Sequence, residues 1–163
     1  QDQIRNLADQ GFEIGAHTYG HPMDLKILND EQLELQIVDC RKFLQEIARQ
    51  SINWFCYPRG RYDDRVKGFV ERAGFKKART TAVEIPWALD RLALPTSIHC
   101  YNRKEYKGKD WLRYAKYWIK FLDGNFKAPA NEVHIWGHAW EIDKYGDWEK
   151  LEKLFKWISR KYL

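Results

Sequence analysis

Histidines at two places in this sequence have the company that metal or acid–base chemistry requires. His17 and His21 lie four residues apart within E-I-G-A-H-T-Y-G-H-P-M-D-L, from Glu13 to Leu25. Imidazole is the commonest protein ligand for zinc and similar cations, and a catalytic site needs about three protein ligands with one position left open. Pro22 donates no backbone hydrogen bond and biases His21 away from the helical region, so His21 is expected in a fixed turn where both rings reach one point. An isolated H-x-x-x-H spacing fits equally well two loop histidines bonded to backbone. The second place is H-I-W-G-H-A-W-E, from His134 to Glu141. If this stretch is extended, His134, Trp136 and His138 share one face, and His138 stands nearer the strand end.

The elements that must position these residues follow from periodicity. Phe12, Ile14 and Ala16 alternate with Glu13, Gly15 and His17, which predicts a strand ending at His17. Ile4, Leu7 and Ala8 predict a helix before it, stopped by Gly11. Asn29 with Gln32 predicts a capping box, followed by a helix to about Arg49 with Leu33, Ile37, Cys40, Leu44 and Ile47 on one face. Ile52 to Tyr57 reads as a buried strand running into the loop P-R-G-R-Y-D-D. Val66, Phe69, Val70 and Ala73 mark a helix capped by Gly74, and Phe75 to Thr81 another strand. Between Ala82 and Lys109, Pro86 and Pro95 break the pattern and Leu92 to His99 holds one strand. Trp111, Ala115, Trp118 and Leu122 set a helix closed by Gly124. A strand from Glu132 to His138 and a helix with Leu151, Leu154, Phe155 and Ile158 complete the chain. Short strands alternating with helices predict parallel pairing through right-handed crossovers, with the site at the strands' C-terminal ends.

Composition narrows the function classes. The 163 residues suit one domain, 1–163, with a sizeable core. Hydrophobic residues at 44% with charged ones at 31% exclude a disordered tail, and no apolar run is long enough to span a bilayer. The net charge of +5 is spread over the polar faces of expected helices, without the clustered basic stripe of a nucleic-acid binder. Aromatic residues make up 15% of the chain, enough both to fill a core and to stack on sugar rings. Cys40, Cys56 and Cys100 are odd in number and lack C-x-x-C spacing, so buried thiols are expected rather than a disulfide scaffold or a cysteine zinc site.

The string E-I-G-A-H-T-Y-G-H-P resembles the H-[ST]-x-x-H-P motif of the polysaccharide deacetylases, the NodB-homology domain of carbohydrate esterase family 4. F-C-Y-P-R-G-R-Y-D, from Phe55 to Asp63, is similar to the family's F-R-x-P-Y-G, with Cys56 where the arginine usually falls and Arg59 where an aromatic often stands. H-I-W-G-H-A-W-E resembles the family's last motif. The resemblance implies a distorted (β/α) TIM-like barrel, here lacking its first strand. It implies that His17 and His21 bind a divalent metal, zinc foremost with cobalt or nickel as alternatives, and that His138 is the general acid. It further implies that Tyr57, Arg59, Trp136 and Trp140 meet the substrate. The family's first motif, a strand ending in two aspartates that supply the base and a further ligand, has no match here and is expected upstream of Gln1.

The expected activity is therefore metal-dependent hydrolysis of N-acetyl or O-acetyl groups on a polysaccharide or oligosaccharide, an acetylated glycan being the partner. The alternatives are a non-catalytic fragment or carbohydrate-binding pseudoenzyme of the same fold, and an amidase acting on a small nitrogenous compound.

Overall fold

A computed structural model of the chain describes residues 1–83, 90–124 and 132–162. It divides into two compact units, 1–82 with 89–94, and 83–88 with 95–163.

The first unit opens with α1 (Asp2–Asp9), and Gly11 turns the chain at φ +90°. The expected strand that follows is reduced to one parallel bridge, Ala16 against Phe55, in which the Ala16 N–H donates to the Trp54 carbonyl and the Ala16 carbonyl accepts from the Cys56 N–H. Ile14 and Ala16 turn inward as the alternation requires, but Phe12 is exposed. The capping box is present: Asn29 accepts from the Gln32 N–H at 2.8 Å and Gln32 accepts from the Asn29 N–H at 3.0 Å. It starts α2 (Asp30–Leu33), which passes through a π-helical turn (Glu34–Asp39) into α3 (Cys40–Ala48), ended by Arg49 at φ +53°. Leu33, Ile37, Cys40 and Ile47 form the buried face as their spacing predicts.

β1 (Trp54–Cys56) pairs in parallel with β2 (Lys77–Val83), Phe55 opposite Ala78, and α4 (Asp64–Arg72) crosses between them. Asp63 caps α4 by accepting from the Val66 N–H at 2.8 Å. β3 (Leu94–Thr96) completes a sheet of order β1-β2-β3. Phe55, Tyr57, Phe75, Val66 and Ile37 are among the residues of this unit's core.

The second unit holds β4 (Ile98–His99) paired in parallel with β5 (Ile135–Trp136), α5 (Trp111–Asp123), α6 (Ala139–Tyr145) and α7 (Trp148–Tyr162). The expected strand over 132–138 is thus two residues of ladder. Its core gathers Ile98, Cys100, Tyr106, Trp111, Ala115 and Leu154. On α7, Phe155 is exposed, and Trp157, one helical turn from Leu154, packs against the core instead. Pro86 lies outside the described residues. Cys40 and Cys100 are buried and Cys56 is half-buried, and all three are free thiols. Among the described residues no helix is long and apolar enough to cross a membrane. The architecture is mixed α/β with small sheets, in which β1 with β2 and β4 with β5 pair in parallel.

Candidate functional site

In the first unit, the Ala16 bridge fixes the backbone immediately before His17 and delivers that ring to the surface. His17 Nδ1 lies 2.8 Å from the Cys56 carbonyl oxygen. A carbonyl only accepts, so Nδ1 carries the proton and the imidazole lone pair is on Nε2, the arrangement by which a backbone oxygen prepares a histidine for a cation. The His21 ring stands beside it, centroids 4.8 Å apart at 69°. Two left-handed residues make that approach: Thr18 at φ +66° and His21 at φ +48°. The preference before Pro22 predicts an extended His21, and the loop overrides it. The Thr18 hydroxyl accepts from the His21 N–H at 3.0 Å, and Gln36, in the π-helical turn, accepts from the Gly20 N–H at 2.8 Å. A β-branched residue in the left-handed region costs on the order of 1–3 kcal/mol and persists where its surroundings hold it.

The Phe55 to Asp63 stretch divides its residues sharply. Tyr57 is 1% exposed, its hydroxyl donates to the Leu92 carbonyl at 2.8 Å, and burial pushes its pKa well up. Its expected contact with substrate gives way to packing in the core, with Tyr62 stacked on it at 4.6 Å. Arg59 is exposed at φ +57°, and its carbonyl accepts from the Thr81 hydroxyl at 3.2 Å. Arg61 lies 3.7 Å from Asp24.

In the second unit the structure brings together three side chains. Glu141 Oε2 lies 2.8 Å from His138 Nδ1 and 2.7 Å from His99 Nε2. The sequence marks His138 through its motif, whereas His99 stands alone in an apolar run with no local pattern. His138 is half-exposed at the start of α6, while His99 is 5% exposed at the end of β4 and stacks on Trp136 with centroids 4.0 Å apart. Burial lowers the His99 pKa below the ordinary imidazole value, outweighing the raising effect of Glu141. Desolvation raises the pKa of Glu141, but the hydrogen bonds from His138 and His99 overcome it and hold the carboxyl below its usual range.

The ligand atoms of this group lie within 4.8 Å of one another, close enough to be gathered by a cation. Both nitrogens approach the same carboxylate oxygen at hydrogen-bond distance. Trp140 is exposed, its ring 5.6 Å from that of His138. Trp136 is half-buried, one face of its ring stacked on His99. His134 lies farther from the strand end, its Nδ1 3.0 Å from the Thr96 hydroxyl. A pocket of about 310 Å³, lined in part by Tyr101, Asn102, Arg103 and Glu105, opens against His99 and Glu141.

The family model for polysaccharide deacetylases matches residues 1–78, which hold His17, His21 and the loop after β1. That match covers just under half of the chain, which over these residues is similar to the polysaccharide deacetylases. A Bacillus subtilis (strain 168) protein whose name assigns it to the polysaccharide deacetylases, YxkH, is 27% identical over 81 residues, 50% of this chain and 29% of YxkH. The solved structure of the Bc1960 peptidoglycan N-acetylglucosamine deacetylase aligns with 98% of this chain and 63% of its own, at TM-score 0.59 and 18% identity. That of BA3943, a CE4-family pseudoenzyme from Bacillus anthracis, aligns with 94% of this chain and 45% of its own, at TM-score 0.54 and 14% identity. The chain spans under a third of the curated relative and under two thirds of each solved chain. At these identities the two structures speak to the fold alone, a mixed α/β fold of the deacetylase type.

Proposed function

We propose that the chain is part of a metal-dependent hydrolase that removes acetyl groups from a polysaccharide or oligosaccharide, and that both units belong to one domain with a distorted (β/α) barrel plan. The observation that carries this reading is the hydrogen bond from His17 Nδ1 to the Cys56 carbonyl, since it leaves the lone pair on Nε2, beside the ring of His21. Two adjacent imidazoles, one already in a ligating tautomer, suit zinc, cobalt or nickel. A bound cation of this kind supplies Lewis-acid polarisation of the acetyl carbonyl and a more acidic water.

The chain's own residues have separate tasks in this reading. His17 and His21 hold the cation. His138, with Nδ1 anchored on Glu141, directs Nε2 at the leaving amine or alcohol and protonates it. Trp140 offers an exposed apolar face beside that ring, and Arg59 a cation for polar substrate groups. The base and the third ligand are assigned to the family's two-aspartate motif, for which no residue here is a match. Asp24 is tied to its own loop by accepting from the Lys26 N–H, and Asp63 is committed to capping α4.

Calorimetric titration with Zn²⁺ tests the reading. The chain is expected to bind zinc weakly, and His17→Ala and His21→Ala each to abolish the heat. Unchanged affinity in both variants removes the pair from the metal site. The alternative reading is a non-catalytic, carbohydrate-binding pseudoenzyme of the same fold. Zinc binding without acetate release from an acetylated chito-oligosaccharide, in protein that carries the two-aspartate motif, would favour it.

A further inference from the structure

We infer that His99 is a positioning residue, which fixes Glu141 and through it the tautomer of His138. The inference rests on reading His138 as the general acid, but its central observable requires no turnover. His99 is held on every side. Its strand is laddered to β5, with the Ile98 N–H donating to the His134 carbonyl and the Cys100 N–H to the Trp136 carbonyl. One buried hydroxyl, that of Tyr106, accepts from the His99 N–H at 2.7 Å and donates to the His99 carbonyl at 3.0 Å. The Trp136 ring covers the imidazole face almost in parallel, at 11°. What remains for this ring is its edge, and Nε2 points that edge at Glu141.

Glu141, by contrast, sits in the first turn of a seven-residue helix. Its carboxylate is anchored through Oε2 by the two histidines. Of these, His138 is half-exposed and His99 is buried, so the fixed point of the group is His99. His99 Nδ1 is buried with no hydrogen-bond partner among the described residues, which favours a neutral ring whose proton is on Nε2, donated to the carboxylate. A charged ring would bury a second N–H with nothing to accept it. The carboxylate so held accepts from His138 Nδ1. This pins the proton on the nitrogen that free histidine disfavours, and leaves Nε2 to collect and deliver the catalytic proton.

Long-range proton–nitrogen correlation spectra of the imidazoles, recorded well above the histidine pKa, test this directly, since the chain has five histidines to assign. His138 is expected in the Nδ1–H form. His99→Phe keeps an aromatic ring on Trp136 but deletes the donor, and should move His138 substantially toward the Nε2–H form. His99→Gln, whose amide can donate to Glu141, should retain the wild-type signature. An Nε2–H tautomer in the wild type overturns the inference even if His99→Phe fails to fold. So does an unchanged His138 in a folded His99→Phe chain. Loss of the His99 and His138 proton signatures on equimolar Zn²⁺ would make the group a cation site and overturn it as well. Absent acetyl hydrolysis in protein that carries the two-aspartate motif, with the tautomer pattern intact, would sink the functional reading and leave this one standing.

Discussion

Gly60 stands where a side chain has no room. A Cβ there would lie 2.4 Å from the Thr81 hydroxyl and 2.7 Å from its amide nitrogen, on a backbone already at φ +69°. Gly60→Ala combines a left-handed penalty of about 1 kcal/mol with overpacking of about 1–3 kcal/mol, so its denaturation midpoint should fall with an unchanged m-value. His99 and Glu141 set a pH dependence of the same sign. Each has a folded pKa below its ordinary value, so the unfolded chain takes up protons first as pH drops. For His99 the stability present above the ordinary imidazole value, near 6.5, is lost on acidification through and below it, and for Glu141 the loss comes lower, below about 4.3. Urea midpoints measured from pH 8 to pH 4 should fall, and His99→Phe should flatten the upper part of that curve. The histidines of the first unit were legible because their spacing and the following proline are local signals. His99 was not, because the carboxylate that gives it meaning is 42 residues away.

Capping was the most readable feature among the elements. The Asn29 and Gln32 box forms as their spacing dictates, and Asn29→Ala should cost about 1 kcal/mol, measurable as a lower thermal midpoint. The first and last strands are shorter than their side-chain period predicts. A strand exists only where a neighbour supplies hydrogen bonds, and of the Phe12 to His17 segment only Ala16 meets β1, so the alternation of Phe12 has no sheet to act on. The same limit cuts the last strand to Ile135 and Trp136, with β4 a two-residue partner. Side-chain period is a property of the sequence, whereas ladder length belongs to both partners.

On the scale of the whole chain, two separate clusters of buried side chains carry the stability. Phe55→Ala, in the first, should cost about 3–5 kcal/mol, and Leu154→Ala, in the second, about 2–5 kcal/mol. Hydrogen exchange then has a clear expectation: Leu154→Ala should first deprotect amides of α5, α7 and β4, and Phe55→Ala those of β1, β2 and α4. Uniform loss of protection in both variants would show a single cooperative unit instead. The dispersed charge read from composition appears as exposed pairs along α7, Lys153 with Glu149 and Lys156 with Glu152, which contribute little beyond solubility.

The π-helical turn gives the length of one helix a chemical meaning. An α-helix advances its side chains by about 100° per residue, and a turn of π-helix accommodates about one residue more than the regular spiral. Deleting a single residue between Glu34 and Asp39 would let the spiral become regular, and would rotate whatever follows or precedes the cut by that same angle. Either Ile37 and Cys40 leave the core, or Gln36 swings away from the Gly20 amide and the histidine loop loses its tether. For this segment inheritance must therefore conserve a count as well as an alphabet: a lineage could exchange many of its letters and keep the loop, but could not drop one.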